Sequence, residues 1–371
     1  MGSLSNCPEK WVNRKWKRSG LWWSRRCGNY WRMSMKWLEN KWPAVLLLPF
    51  SMLYYSIVQI RNLLYNVGLF KSYRVNAKVI SVGNVTVGGT GKTPTVQFLA
   101  NLLLQSDKSV AIVSRGYGRS ISDTVVVSDG RRVFAVSQEG GDEPLMLAKN
   151  CPGAVVIVDA DRVRAAQLAI CNYHCNVIIL DDAFQHRRIA RDLNIVLMKR
   201  DSPFGNGFGL PAGPLREPKR NLHRADIIII NGENSSSLPP MPISGKLLVS
   251  ADYQWVDCIN SNDEILFPHD LYGKNVIAFC GIAHPEHFKR MLVKMNLCAF
   301  FAFKDHHFYT DDDMSVIENA VGRLCPDVVL TTEKDWVKLN PEWLGGVLYR
   351  VRITLKIQQD REFVSLIEKI I

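Results

Sequence analysis

Residues Thr86, Val87, Gly88, Gly89, Thr90, Gly91, Lys92 and Thr93 carry the side-chain types that bind a polyphosphate. They fit the spacing GxxxxGK[ST], with Thr86 where the first glycine would stand. Glycines let backbone N–H groups converge on phosphate oxygens, Lys92 adds a point charge on the β and γ phosphates, and Thr93 offers its hydroxyl to Mg²⁺. The loop works through its backbone, so the missing first glycine removes no chemical group. ATP with Mg²⁺ is the expected cofactor pair. A second feature, Asn176 to Asp182 (NVIILDD), reads as an apolar strand ending in two carboxylates, Asp181 and Asp182. Adjacent acids repel unless a cation lies between or beside them, which predicts metal as their partner, directly or through water. The plainer alternative is that Asp182 caps the following loop. Third, Gly140-Gly141-Asp142-Glu143-Pro144 delivers two carboxylates from a glycine turn ahead of a helix, with Glu143 expected to be extended because it precedes proline. A loop carboxylate beside a phosphate-transfer site is suited to act as general base for an acceptor hydroxyl, while Asp142 as a simple helix cap is the competing expectation.

These residues need a scaffold that brings strand ends together. Val75 to Gly83 is β-branched and apolar, and Lys92 to Leu104 has helical spacing, giving strand, loop, helix. Further strands are expected at 110–114, 154–159, 177–181, 194–198 and 226–230, with helical stretches between them. This alternation predicts an α/β fold: a P-loop NTPase-like, doubly wound sheet with the phosphate site at the carboxyl ends of its strands. After Pro239-Pro240 a second set begins with LLVSADYQWV, NVIAFCGI, CAFFAF and VVLTTEK, read as a smaller C-terminal α/β lobe on a hinge. The expected organisation is a basic segment 1–42, an apolar helix 43–66, a kinase-type core 67–240 and a lobe 241–371.

The chain has 371 residues and a formal charge of +11, with 47% hydrophobic and 22% charged residues, which excludes disorder, collagen and coiled coil. Eight of the eleven excess charges fall in residues 1–42, so the body gives no reason to expect nucleic acid as a partner. Seven of the ten tryptophans lie in that same stretch, a mixture suited to anionic lipid headgroups; a cleaved organellar presequence and a nucleic-acid arm are the alternatives. From Trp42 to Ile60 there is no charge, but basic residues flank both ends. Both flanks then prefer one side of a bilayer, which favours a helix lying in or dipping into one leaflet over one that spans it. An ordinary core helix is the bland alternative. The nine cysteines are scattered without a CxxC pair, which points to buried thiols rather than to disulfides or zinc.

Taken in order, VISVGNVTVGGTGKTP, SRGYGR, GGDEP, LDDAFQHRRIARDLNIVL, GNGFGLPAGPLREP, RADIIIING, FCGIAHPEHF, KDHHFY and TTEKDWVKL resemble the tetraacyldisaccharide 4'-kinases of lipid A biosynthesis, over about Leu46 to Leu339. The resemblance implies transfer of the ATP γ-phosphate to the 4'-hydroxyl of a tetraacylated glucosamine disaccharide 1-phosphate, giving a lipid IVA-type product. It implies a lipid disaccharide substrate and a membrane surface, most simply the cytoplasmic face of a bacterial-type inner membrane, with a mitochondrial location as the alternative. It also implies roles: Lys92 and Thr93 on phosphate and magnesium, Asp181 and Asp182 as the second magnesium motif, Asp142 as catalytic base, and His306 as its partner from the second domain, closing over the nucleotide site with Asp305. Glu143, Arg115, Tyr117, Gln185 and His186 fall in matching motifs without an assigned role. Ala183 stands where many relatives have glycine, and the basic Trp-rich stretch lies outside the family pattern. The reading from another class is a membrane-recruited P-loop switch or assembly ATPase whose output is conformational.

Overall fold

A computed structural model describes residues 41–116, 123–232, 245–340, 342–358 and 360–371. The basic segment, apart from the backbone of its last two residues, lies outside the described residues, as do Tyr117 and Pro239-Pro240. The chain forms two compact units, one comprising Trp255–Arg352 and the other the described residues up to Gln254 together with Ile353–Ile371. The C-terminal segment thus belongs to the same unit as the residues up to Gln254.

The larger unit opens with helix α1 (Lys41–Asn66). Then follow β1 (Lys78–Asn84), α2 (Lys92–Gln105), β2 (Val110–Ser114), β3 (Val125–Asp129), the short α3 (Ser137–Gly140), α4 (Asp142–Asn150), β4 (Val155–Val158), α5 (Arg162–Tyr173), β5 (Val177–Asp181), β6 (Leu193–Lys199), β7 (Ile227–Asn231) and β8 (Leu247–Ile259). Their order across the sheet is β8-β7-β6-β1-β5-β2-β4-β3, all neighbours parallel except the antiparallel edge pair β3 and β4. The near-continuous Val/Ile/Leu runs of β2, β4, β5 and β7 are what a parallel sheet covered on both faces requires. Strand alternation divides them: Val79, Ala111, Val113, Val155, Ile157, Ile178 and Leu180 pack with Val163, Ala166 and Ala169 of α5. Helix α2 packs along β1, β2 and β5 through buried Val96, Leu99, Ala100 and Leu103. The chain passes from β1 to β2 on one side of the sheet and from β5 to β6 on the other, so the loop after β1 lies at a topological switch point, next to the carboxyl end of β5.

In the smaller unit, β9 (Ile265–Leu266), β10 (Asn275–Cys280), α6 (Pro285–Met291), β11 (Asn296–Ala302), α7 (Asp311–Leu324), β12 (Val328–Thr332), the single turn α8 (Glu333–Trp336) and β13 (Leu348–Ile357) follow. Its parallel strands run in the order β11-β10-β12-β13. Phe279, Ile317, Val321, Val329, Trp336 and Leu348 make its core. The last helix, α9 (Asp360–Ile370), belongs to the larger unit, where Phe363 is fully buried and lies 6.4 Å from the Phe98 ring of α2.

Helix α1 has two unlike sides. One is pinned by polar contacts: Ser51 Oγ donates to the Gly209 carbonyl (2.9 Å), Tyr54 Oη to that of Arg216 (2.9 Å), and Asn62 Nδ2 to the buried Glu217 (3.2 Å). A Cβ on Gly209 would lie 2.3 Å from the Tyr55 ring, so glycine there lets the helix close on the loop. The other side shows Leu46 (81% exposed), Phe50, Met52, Leu53, Ile57, Ile60 and Leu63 to solvent, whereas Ala44 is buried (2% exposed). A contiguous apolar face of this kind marks an interaction surface. By length and composition Ala44–Asn66 could cross a membrane. Pro49 sits inside it, where its missing N–H interrupts one helical hydrogen bond.

Candidate active site

The phosphate loop is held open by its backbone. Gly91 occupies left-handed conformation (φ 86°) as the N-cap of α2, and its carbonyl accepts from both the N–H (3.3 Å) and the Oγ (2.9 Å) of Thr95. Behind it, Asn231 Nδ2 at the end of β7 donates to the Thr90 carbonyl (2.5 Å) and to Tyr253 Oη (2.9 Å). A Cβ at Gly91 would fall 1.1 Å from Tyr253 Oη, so no side chain fits there. At the loop's entry Asn84 Nδ2 donates to Thr90 Oγ1 (2.9 Å), Val87 N–H to the Pro214 carbonyl (2.8 Å) and Arg216 N–H to that of Val85 (2.8 Å). Thr86 is bridged to Leu215 in the same way, so the residue that breaks the glycine pattern serves as a strand-like brace. Gly88 and Gly89 at the tip are exposed, leaving their amides accessible, and Lys92 and Thr93 open the first turn of α2.

Asp181 and Asp182 follow directly from β5 but meet opposite surroundings. Asp182 has positive φ (47°) and pairs with Arg216 (2.8 and 3.0 Å) and, more loosely, with Lys92 (3.7 Å). Burial pushes its carboxyl up, but Lys92 and Arg216 together outweigh burial and hold it below the usual carboxylate range. Asp181 is buried; its Oδ2 accepts from Ser114 Oγ (3.1 Å), while its Oδ1 has no hydrogen-bond partner. Burial, then the like charges of Glu143 and Asp182, push its carboxyl up to about 7. A buried carboxylate oxygen without a donor costs free energy unless a proton or a cation meets it. Among the described residues no group of three or more His, Cys, Asp or Glu side chains is placed to hold a metal on its own. The donor set present, two carboxylates and the Thr93 hydroxyl, suits Mg²⁺, which takes its other ligands from phosphate and water.

Asp142 begins α4 after Gly141 (φ 89°), is buried, and accepts a hydrogen bond from Ser137 Oγ of the preceding turn. The expectation that Glu143 is extended is not met: Glu143 and Pro144 both lie in the first turn of α4. Proline is tolerated there because first-turn N–H groups have no helical partner.

The remaining predicted residue, His306, belongs to the smaller unit. It also has positive φ (58°), its N–H donating to the Gly281 carbonyl (3.2 Å) and to Asp305 Oδ1 (3.1 Å). Its neighbour His307 is taken up structurally: Nε2 lies 2.9 Å from Asp313 Oδ2 and the ring stacks on Phe303 at 4.8 Å. Of the motif residues without an assigned role, Gln185 donates from Nε2 to the Asn84 carbonyl (2.9 Å). Burial lowers His186 to about 4 and leaves its Nε2 unpartnered. Arg191 gathers the carbonyls of Ala183, Phe184 and His186, fixing the turn that presents Asp182. Arg216, Asn231, Tyr253 and Lys334 were not singled out from sequence. Arg216, Asn231 and Lys334 lie in matched motifs, but only their contacts reveal what they do.

The matches to other proteins agree with this architecture, a P-loop kinase-type fold. The family model described as tetraacyldisaccharide-1-P 4'-kinase matches residues 43–371. Tetraacyldisaccharide 4'-kinase of Pelobacter propionicus is 42% identical, over 84% of this chain and 88% of its own. That of Syntrophus aciditrophicus is 38% identical, over 92% of this chain and 97% of its own. A crystal structure of LpxK from Aquifex aeolicus in complex with ATP aligns with a TM-score of 0.75 at 35% identity, covering 88% of this chain and 99% of that one. The chain belongs to the tetraacyldisaccharide 4'-kinase family, and its class is that of an ATP-dependent phosphotransferase.

Proposed function

We propose that the chain transfers the γ-phosphate of ATP to the 4'-hydroxyl of a tetraacylated glucosamine disaccharide 1-phosphate, on a membrane surface. The observation that carries this reading is the phosphate loop with Lys92 and Arg216 converging on Asp182 beside the buried Asp181, whose Oδ1 has no hydrogen-bond partner, in a chain of this family. The loop amides and Lys92 would take the phosphates, with Lys92 exchanging its long contact with Asp182 for phosphate oxygen. Thr93, Asp181 and Asp182 would hold Mg²⁺, which supplies charge neutralisation on the transferring phosphate. Asp142, kept in place by Ser137, would accept the proton of the 4'-hydroxyl as the oxygen attacks. His306 would partner that base, an assignment that rests on the family resemblance. The solvent-facing apolar side of α1 supports seating in one leaflet, with its pinned side toward the protein; the cytoplasmic face of an inner membrane, presenting anionic lipid, is the proposed location.

The test is incubation with γ-labelled Mg-ATP and a tetraacyl disaccharide 1-phosphate in mixed micelles. Label on the lipid, at its 4' position by phosphorus NMR, is expected. Free phosphate with unlabelled lipid would instead favour the switch ATPase.

A further inference from the structure

The loop that carries His306 is held from one side by two consecutive residues of α8. Asp335 fixes its backbone: Oδ2 accepts from the Gly281 N–H (2.9 Å), and the Gly281 carbonyl in turn accepts from the His306 N–H. Asp335 is itself held by Lys338 (3.1 Å) and by Thr332 Oγ1 (2.6 Å). A Cβ on Gly281 would approach Asp335 Oδ1 and the Lys304 carbonyl to 3.0 Å, so the contact depends on glycine. This bracing maintains the left-handed conformation of His306, which a residue with a Cβ adopts only when its surroundings impose it. Lys334 reaches the side chain. Its ammonium lies 3.0 Å from Asp305 Oδ1 and 3.1 Å from His306 Nε2, and it is largely shielded, with 17% of its side chain exposed.

We propose that Lys334 is a positioning residue: anchored on Asp305, its ammonium donates to His306 Nε2 and fixes the imidazole in the neutral tautomer that carries its proton on Nδ1. An ammonium has three donors and no acceptor, so the 3.1 Å contact is a hydrogen bond only when Nε2 presents a lone pair. His306 then offers Nδ1–H as a donor, the form that orients a carboxylate base without competing for the substrate proton. Asp305 supplies the counter-charge that lets a lysine sit beside an imidazole. The inference deepens the reading of His306 as partner of the base and rests on it.

The experiment is a double-mutant cycle on the full chain in the lipid kinase assay. Lys334→Met is expected to lower kcat by about 10- to 100-fold with the KM for ATP within about twofold, and Lys334→Arg, which keeps a donor, to recover most of the loss. In a His306→Ala background, Lys334→Met is expected to change kcat by less than about twofold, since the interaction it served is gone. Nitrogen NMR of labelled histidine should show His306 protonated on Nδ1 in the parent and a mixture of tautomers in Lys334→Met, with circular dichroism confirming that the variant is folded. The proposal is overturned if Lys334→Met leaves kcat unchanged, costs as much with His306→Ala as without, or raises the KM for ATP with kcat preserved, which would make Lys334 a phosphate contact. Should His306→Ala alone retain full turnover, it is the reading of His306 itself that fails.

Discussion

The phosphate loop and the His306 loop both hold ionisable groups at the ends of parallel strands, yet they do so by different means. Around Lys92 the geometry is over-determined: Gly91 leaves room for Tyr253, Asn231 ties down the Thr90 carbonyl, and Arg216 braces the loop's entry through its amide and Asp182 through its guanidinium. Around His306 the backbone has a positive φ and is braced by side chains, Asp335 through Gly281 and Asp305 directly, while Lys334 reaches the imidazole. Changes in the first region should therefore strike nucleotide binding and the fold together, whereas changes in the second should strike turnover with binding preserved.

Lys92→Ala is the severest way to probe that contrast. Removing the lysine of the phosphate loop is expected to lower kcat/KM by roughly 1,000-fold and to weaken ATP binding as well, measured by steady-state kinetics and calorimetry. Gly91→Ala combines a positive φ with a collision against Tyr253 Oη, so a destabilisation of at least about 2 kcal/mol and a lowered Tm are expected, with ATP affinity lost in step. A Gly91→Ala protein with parental stability would show that the loop is less rigidly built than its contacts indicate.

Asp181 sharpens the comparison through pH. Its carboxyl is raised to about 7, chiefly by burial. Its contribution to stability is therefore full below the unfolded value of about 3.9 and is lost as pH rises through about 7. Mg²⁺ requires the ionised form, so Mg²⁺ affinity should rise by up to about tenfold per pH unit below 7, flatten above it, and be accompanied by proton release on binding, read by calorimetry in buffers of different ionisation enthalpy. Asp181→Asn should abolish that pH dependence.

Much of this was legible in the sequence, and what was not has physical reasons. The strand read within 75–83 is Lys78–Asn84, that expected at 177–181 is Val177–Asp181, and the helix expected from Lys92 begins there, because apolar runs bounded by glycine leave few alternatives. Glu143 went the other way, since the rule that disfavours helix before proline yields in a first turn whose N–H groups have no helical partner. The edge strand Val125–Asp129 was not anticipated, and neither was the return of Ile353–Ile371 to the larger unit, which depends on the burial of Phe363 against α2 and has no local signature. The opposed electrostatics of Asp181 and Asp182 were invisible because Arg216, which separates them, is 34 residues away in the chain.

The mildest expected effect lies at α1. Replacing Leu46 and Leu53, both exposed, by glutamate should leave Tm within about 1 °C but reduce sedimentation with anionic vesicles several-fold, because exposed apolar side chains add nothing to the fold and much to membrane affinity.

The most direct test of the central claim sets Asp142→Asn beside the parent protein in transfer of labelled γ-phosphate from Mg-ATP to the tetraacyl disaccharide 1-phosphate, with ATP affinity measured on both. The account predicts labelled lipid from the parent, at least about 1,000-fold less from the variant, and ATP affinities within about threefold of each other. A variant that still labels lipid at a comparable rate, or loses transfer only because it no longer binds ATP, would contradict the assignment of Asp142 as the base.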